Sequence, residues 1–277
     1  MIPRDPRLTL ARADLAASAL EGLVEAARYA PTRAWQVRGA SVALHRAPSA
    51  ASERLDELIC GEIVDALDEA GDFVWGQARR DGYVGFIAAE ALAPPGPAPT
   101  HRVSAIRTYA FAEPSIKSAA IGPFSLNALI HVEAETDGFA RAGARWFWRA
   151  HLAPIGVFQR DPAAIAERFL GAPYLWGGRT SLGLDCSGLV QQALYACGRA
   201  CPRDTDQQAA LGREIDPGAL RRGDLVCWKG HIGMMLDETR LIHANAHHMT
   251  VAIEPLAEAA QRIVAGGYGA PTAHRRV

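Results

Sequence analysis

A chain of 277 residues with a formal net charge of −1 is long enough for two or three domains. It carries no charge excess that would draw nucleic acid or an anionic membrane surface. About half of it, 49%, is apolar and 21% is charged, as in an ordinary soluble protein, and five cysteines without framework spacing argue against a disulfide-stapled scaffold.

The stretch Ala11–Ala30 is rich in alanine but interrupted by Arg12, Asp14, Glu21, Glu25 and Arg28. It lacks the apolar run of a signal peptide or membrane span. An amphipathic helix is expected there, capped by Asp14 and ended before Pro31, within a helical segment 1–33. With no export signal, a cytoplasmic protein is expected.

From Ala34 onward, strand-length runs follow one another: Ser41–His45, Glu62–Leu67, Phe73–Ala78 and Tyr83–Ile87. The Pro-rich segment 94–100 reads as a stiff linker. Beyond it the pattern recurs. Asp72-Phe73-Val74-Trp75 and Gly85-Phe86-Ile87 are echoed by Asp137-Gly138-Phe139-Ala140 and Trp146-Phe147-Trp148. Two small β-barrels in tandem are expected, over 34–93 and 101–156.

Asp161-Pro162 reads as a helix start with proline at the first helical position, followed by an apolar face of Ile165, Ala166, Phe169 and Leu170. After the Gly-, Pro- and aromatic-rich segment 171–180 comes Asp185-Cys186-Ser187-Gly188, then Leu189, Val190, Ala193 and Leu194 at helical spacing. Cys186 therefore lies at a helix N-terminus, where unpaired N–H groups and the macrodipole favour an anion, and a lowered thiol pKa is expected. Two short strands follow, Gly230–Leu236 with His231 and Arg240–Ala244 with His243. A thiol on a helix start with histidines on later strands is an order of parts suited to nucleophilic catalysis. Cys60, Cys197, Cys201 and Cys227 read as small buried apolar residues. Without a Cys-x-x-Cys spacing or a third ligand beside His247 and His248, no metal site is expected.

Four motifs, Tyr174-Leu175-Trp176-Gly177-Gly178, Leu184-Asp185-Cys186-Ser187-Gly188-Leu189-Val190, Arg222-Gly223-Asp224-Leu225-Val226 and Gly230-His231-Ile232-Gly233, resemble the NlpC/p60 cysteine peptidases. The resemblance spans about 161–262 and implies an α+β, papain-like catalytic domain over 160–277, behind the N-terminal helix and two bacterial SH3-like barrels. It implies Cys186 as nucleophile, His231 as general base and His243 as its orienting partner, with no cofactor. The Cys186 backbone N–H is the expected oxyanion donor. With SH3-like domains and no export signal, the chain is similar to the γ-D-glutamyl-L-diamino-acid endopeptidases (dipeptidyl-peptidase VI type). These release L-Ala-γ-D-Glu from murein stem peptides with a free N-terminus. That similarity implies a substrate-binding set of Tyr83, Glu62, Asp185, Ser187, Asp204 and Thr205, with the carboxylates facing the substrate ammonium. Such a charge needs counter-charges once desolvated. Cys60 stands where an aromatic is expected before Gly61-Glu62. The partner expected is L-Ala-γ-D-Glu-diamino acid, met by a monomer, with no nucleic acid or membrane partner. A broader wall hydrolase or amidase, or a non-catalytic wall-fragment binder, is the alternative.

Overall fold

In the computed structural model, which describes residues 5–277, the alanine-rich N-terminal segment is not a helix. Ala16–Ala17 pairs in parallel with Tyr29–Ala30, Ser18–Leu20 makes a single 3-10 turn, and the chain reverses at Gly22, whose φ of +75° suits glycine. Asp14 pairs with Arg12 instead of capping a helix. The cause is tertiary packing. Leu10 and Ala17 bury against Trp75 and Val84, and the Arg12 guanidinium lies 4.2 Å over the Trp75 ring and also meets Asp68. Alanine's helix preference is worth only about 0.7 kcal/mol or less per residue over ordinary residues, and short isolated helices are marginal, so packing decides.

The chain divides into two units, one ending at Ile155 and one running Gly156–Val277. In the first, seven strands form an antiparallel sheet: β1 (Arg33–Val37), β2 (Ser41–His45), β3 (Arg54–Ile59), β4 (Ile63–Ala70), β5 (Phe73–Ala78), β6 (Val84–Ala88) and β7 (Leu92–Ala93). Their order is β3-β2-β6-β5-β4-β1-β7. Alternate residues Val37, Leu44, Leu58, Val64, Val74 and Ile87 face one core, as period-2 patterning requires. Eight further strands follow: β8 (His101–Val103), β9 (Arg107–Phe111), β10 (Ala120–Ser125), β11 (Leu129–Ile130), β12 (Ala134–Thr136), β13 (Phe139–Ala142), β14 (Arg145–Trp148) and β15 (Leu152–Pro154). They make a three-stranded sheet β11-β8-β15 and a five-stranded sheet β10-β9-β14-β13-β12. Phe124 and Phe147, edge to face at 5.0 Å between ring centroids, lie in this second core. Ile59 and Cys60 at the end of β3 reach into it, so the two β-domains share one unit despite the Pro-rich segment. Cys60 thus fills an apolar site where an aromatic was expected.

The second unit is α+β. Helix α1 (Pro162–Glu167) starts as its sequence dictates. The Asp161 carboxylate accepts the Ala163 and Ala164 N–H groups at 2.9 and 3.2 Å, with Pro162 at the first helical position. The same carboxylate also meets Arg222 at 2.7 Å. Asp161→Ala is expected to cost about 1 kcal/mol, read from the urea midpoint. Helix α2 (Cys186–Ala196) is buried on every side, its two glutamines included. A one-face spacing therefore understates it: α2 packs on α1 and on the sheet, and Gln191 donates to the Cys201 carbonyl at 3.2 Å. The short helix α3 (Thr205–Gln208) precedes six strands, β16 (Arg213–Glu214), β17 (Leu225–Trp228), β18 (His231–Met235), β19 (Arg240–Asn245), β20 (Thr250–Pro255) and β21 (Ala273–Arg276), with α4 (Leu256–Ala265) between the last two. The antiparallel order is β16-β21-β17-β18-β19-β20. Leu256, Ala259, Ala260 and Ile263 of α4 pack on Trp228, Met235 and Leu241.

Candidate active site

Cys186 is the first residue of α2 and is 6% exposed. Asp185 caps the helix through Gly188 N–H at 2.8 Å. The helix start abuts the Gly177-Gly178 turn so closely that a Cβ on Gly188 would come within 2.3 Å of the Gly178 carbonyl oxygen. Only glycine fits there. No acceptor for the Cys186 backbone N–H is found among the described residues, as expected of a first-turn donor.

The thiol itself departs from expectation. Burial, reinforced by the Asp185 carboxylate, pushes Cys186 up to about 12, against the opposing Ile232 and Ser187 N–H groups. Desolvation outweighs the helix terminus, so the free protein holds a neutral thiol. The Ile232 N–H facing the sulfur places Cys186 beside the start of β18, one residue from His231.

His231 Nε2 and His243 Nδ1 are 2.7 Å apart. His243 is fully buried, and its Nε2 lies 2.6 Å from Glu254 Oε1 on β20. Glu254 in turn accepts two bonds from Arg262 of α4, each of 2.5 Å. Burial above all, with His243 and Arg262 adding to it against the pull of Glu254, lowers His231 to about 3. His243 is lowered by burial against the pull of Glu254. Glu254 itself, despite the upward push of burial, is held well below the usual carboxylate range by His243 and Arg262. Both imidazoles are therefore neutral at pH 7, and a neutral His231 can accept a proton from the thiol. Tyr174 lies in the same environment: burial first, then Cys186 and Asp185, raise its phenol.

The residues expected to bind substrate fall into different settings. Asp185 receives five donors: Gly188 N, Gly177 N, Ser187 Oγ and two Arg203 nitrogens, at 2.6–3.1 Å. Those bonds exhaust its lone pairs, and Ser187 Oγ additionally accepts Arg203 at 2.6 Å. Through these bonds both side chains hold the start of α2. Glu62 is buried in the β3–β4 turn, where it accepts from Ile59 N–H at 3.2 Å and Arg80 at 2.8 Å. Its charge is balanced within its own unit. Tyr83 is buried in the first β-domain core with Val37 and Leu44. Asp204 is the half-buried N-cap of α3, in a capping box with Gln207, and Thr205 is the first residue of that helix.

Arg203, Glu254, Arg262 and Tyr174 were not singled out from the chain. Tyr174 stands inside the Tyr-Leu-Trp-Gly-Gly motif and Arg203 directly before Asp204, whereas nothing local marks Glu254. His243, His248 and Glu254 offer ligand atoms within 4.8 Å of one another. Glu254 already carries the Arg262 guanidinium on both oxygens, and a cation placed there would meet that positive charge.

Residues 171–264 match the NlpC/P60 family, and residues 44–92 match the bacterial dipeptidyl-peptidase Sh3 domain. The chain is 27% identical over 225 residues to a gamma-D-glutamyl-L-lysine dipeptidyl-peptidase of Bacillus subtilis, an alignment covering 73% of this chain and 76% of that one. A protein of the same name from Bacillus cereus is 34% identical over 104 residues, 35% of this chain and 31% of its own length. A solved NlpC/P60 family protein from Bacillus cereus superposes with a TM-score of 0.75, covering 88% of this chain and 99% of that one. At 19% identity it shows a shared fold. With Cys186 on its helix start and the His231–His243 pair on the strands beyond, the chain carries an NlpC/P60 cysteine peptidase domain C-terminal to a bacterial dipeptidyl-peptidase Sh3 domain.

Proposed function

We propose that this chain hydrolyses the γ-D-Glu–L-diamino acid bond of murein stem peptides whose N-terminal L-Ala is free, in the recycling of cell-wall peptides in the cytoplasm. The observation that carries the reading is the pairing of a dipeptidyl-peptidase type of Sh3 domain with the peptidase domain in one chain. The printed name of the Bacillus subtilis relative makes lysine the first diamino acid to test. A second Sh3-like fold for residues 101–156 is part of the same proposal.

Cys186 attacks the scissile carbonyl as His231 takes the thiol proton. The C–N bond then breaks, the leaving amine receives that proton, and a thioester to the γ-carboxyl of D-Glu remains. Water resolves it by the reverse route, with His231 again as base. The Cys186 backbone N–H supports the oxyanion in both steps. Asp204 and Thr205 are the polar groups we assign to substrate binding.

The test is mass spectrometry of L-Ala-γ-D-Glu-L-Lys, free and N-acetylated, incubated with the protein. Release of L-Ala-γ-D-Glu from the free peptide alone is the expected result. Equal cleavage of both would make this a broader wall hydrolase, and cleavage of neither would overturn the reading.

A further inference from the structure

We infer that Glu254, clamped by Arg262, is a positioning residue that selects the tautomer in which His231 presents a bare ring nitrogen to Cys186. Strand pairing brings this about. His243 on β19 stands opposite Ala252 on β20, so Glu254, two residues on, is its diagonal neighbour on the same face. Helix α4 then returns Arg262 to Glu254, eight residues away, where the guanidinium takes both carboxylate oxygens.

The proton positions follow from the ends of the chain of bonds inward. Glu254 is ionised and can only accept, so His243 must donate from Nε2 across the 2.6 Å contact. A neutral His243 then has a lone pair on Nδ1 and accepts from His231 Nε2–H across 2.7 Å. His231 is left with an unprotonated Nδ1, the nitrogen a base must present. Each link fixes the next, as outer partners do for ligating and catalytic histidines. Arg262 has a second effect. It denies Glu254 any geometry but the one in which an oxygen meets His243.

The double variant Glu254→Leu/Arg262→Met tests the inference. Both charges leave together, so no guanidinium is stranded, and His243 Nε2 loses the acceptor that Glu254 Oε1 supplied. His243 can then hold its proton on either ring nitrogen, and part of the His231 population carries its proton on Nδ1, facing the thiol. The expected result is a fall in kcat of about tenfold or more with KM little changed. Arg262→Met alone keeps the carboxylate acceptor and the native tautomer.

The inference rests on the proposed peptidase reading for its assay, so a second readout is independent of any substrate. Nitrogen-15 NMR of the ring nitrogens is expected to show Nε2–H on both His231 and His243 in the native chain, and a mixture of Nε2–H and Nδ1–H forms in Glu254→Leu/Arg262→Met. Alkylation of Cys186 by iodoacetamide, followed by peptide mapping, should slow in the same double variant. Unchanged tautomers in the double variant, or a double variant as active as Arg262→Met alone, would overturn the positioning role. If the native chain cleaves no stem peptide yet the double variant shows the mixed tautomers, the substrate reading fails and this inference stands. Glu254→Asp, which keeps the charge, is expected to retain the native tautomers, which separates positioning from folding.

Discussion

Cys186→Ala is expected to abolish hydrolysis of the stem peptide, with turnover falling by about 10⁴-fold or more while the fold is kept. Among the described residues the Cys186 thiol is the one group beside His231 that can form the thioester, and a water in its position lacks both the nucleophilicity and the tether. Structural cost should be small. The sulfur is buried at the helix start, and the helix is held there by Asp185, Gly188 and Arg203, none of which the substitution touches. A loss of about 1 kcal/mol from the vacated volume is the expectation, measured by urea unfolding beside the peptide assay. The raised thiol pKa makes a further point. In the free protein the proton stays on sulfur and the neutral His231 must remove it during attack, so nucleophile and base act as one unit. Retained turnover in Cys186→Ala would remove the cysteine mechanism altogether.

Arg203→Met should produce the largest stability loss of any single substitution considered for the peptidase unit, about 3–5 kcal/mol. Arg203 is 1% exposed, and it neutralises an Asp185 that is itself 5% exposed. Without the guanidinium, Asp185 must either stay charged in a dry site with three remaining donors or take up a proton, and both outcomes are unfavourable. The bidentate geometry and the Arg203 bond to Ser187 mean that no surface water replaces what is lost. Activity should fall as well, because the same carboxylate caps α2 and sets the position of Cys186. The check is the urea midpoint of the variant against that of the parent chain. Combining it with Asp185→Asn is expected to recover part of the loss, since the stranded charge is gone. A shift worth less than about 1 kcal/mol would mean that Asp185 is stabilised by its cap and loop donors alone.

The sequence by itself determined much of this protein. Strand-length runs bounded by turn residues marked Ser41–His45 and Phe73–Ala78 at the bounds the structure shows, because strand-forming residues and turn residues leave their trace locally. The Asp161-Pro162 start of α1 and the Cys186 start of α2 were legible for a similar reason: caps and first-turn residues act within three or four positions. His231 and His243 were legible as strand residues, and the strands bring them to 2.7 Å.

What lay beyond the sequence was settled by groups distant along the chain. Burial against Trp75, some sixty residues away, turned an alanine-rich stretch from helix to extended chain. Desolvation raised a thiol that its helix position alone would have acidified. Asp185 gained a charge partner, an arginine 18 residues on, that no local pattern announces. Glu254 gained its place by the Cβ registry of two strands and the return of α4, neither of which any local pattern encodes. Caps and turns answer to neighbours in sequence, but charge, protonation and the conformation of a weakly patterned segment answer to whatever the fold packs alongside.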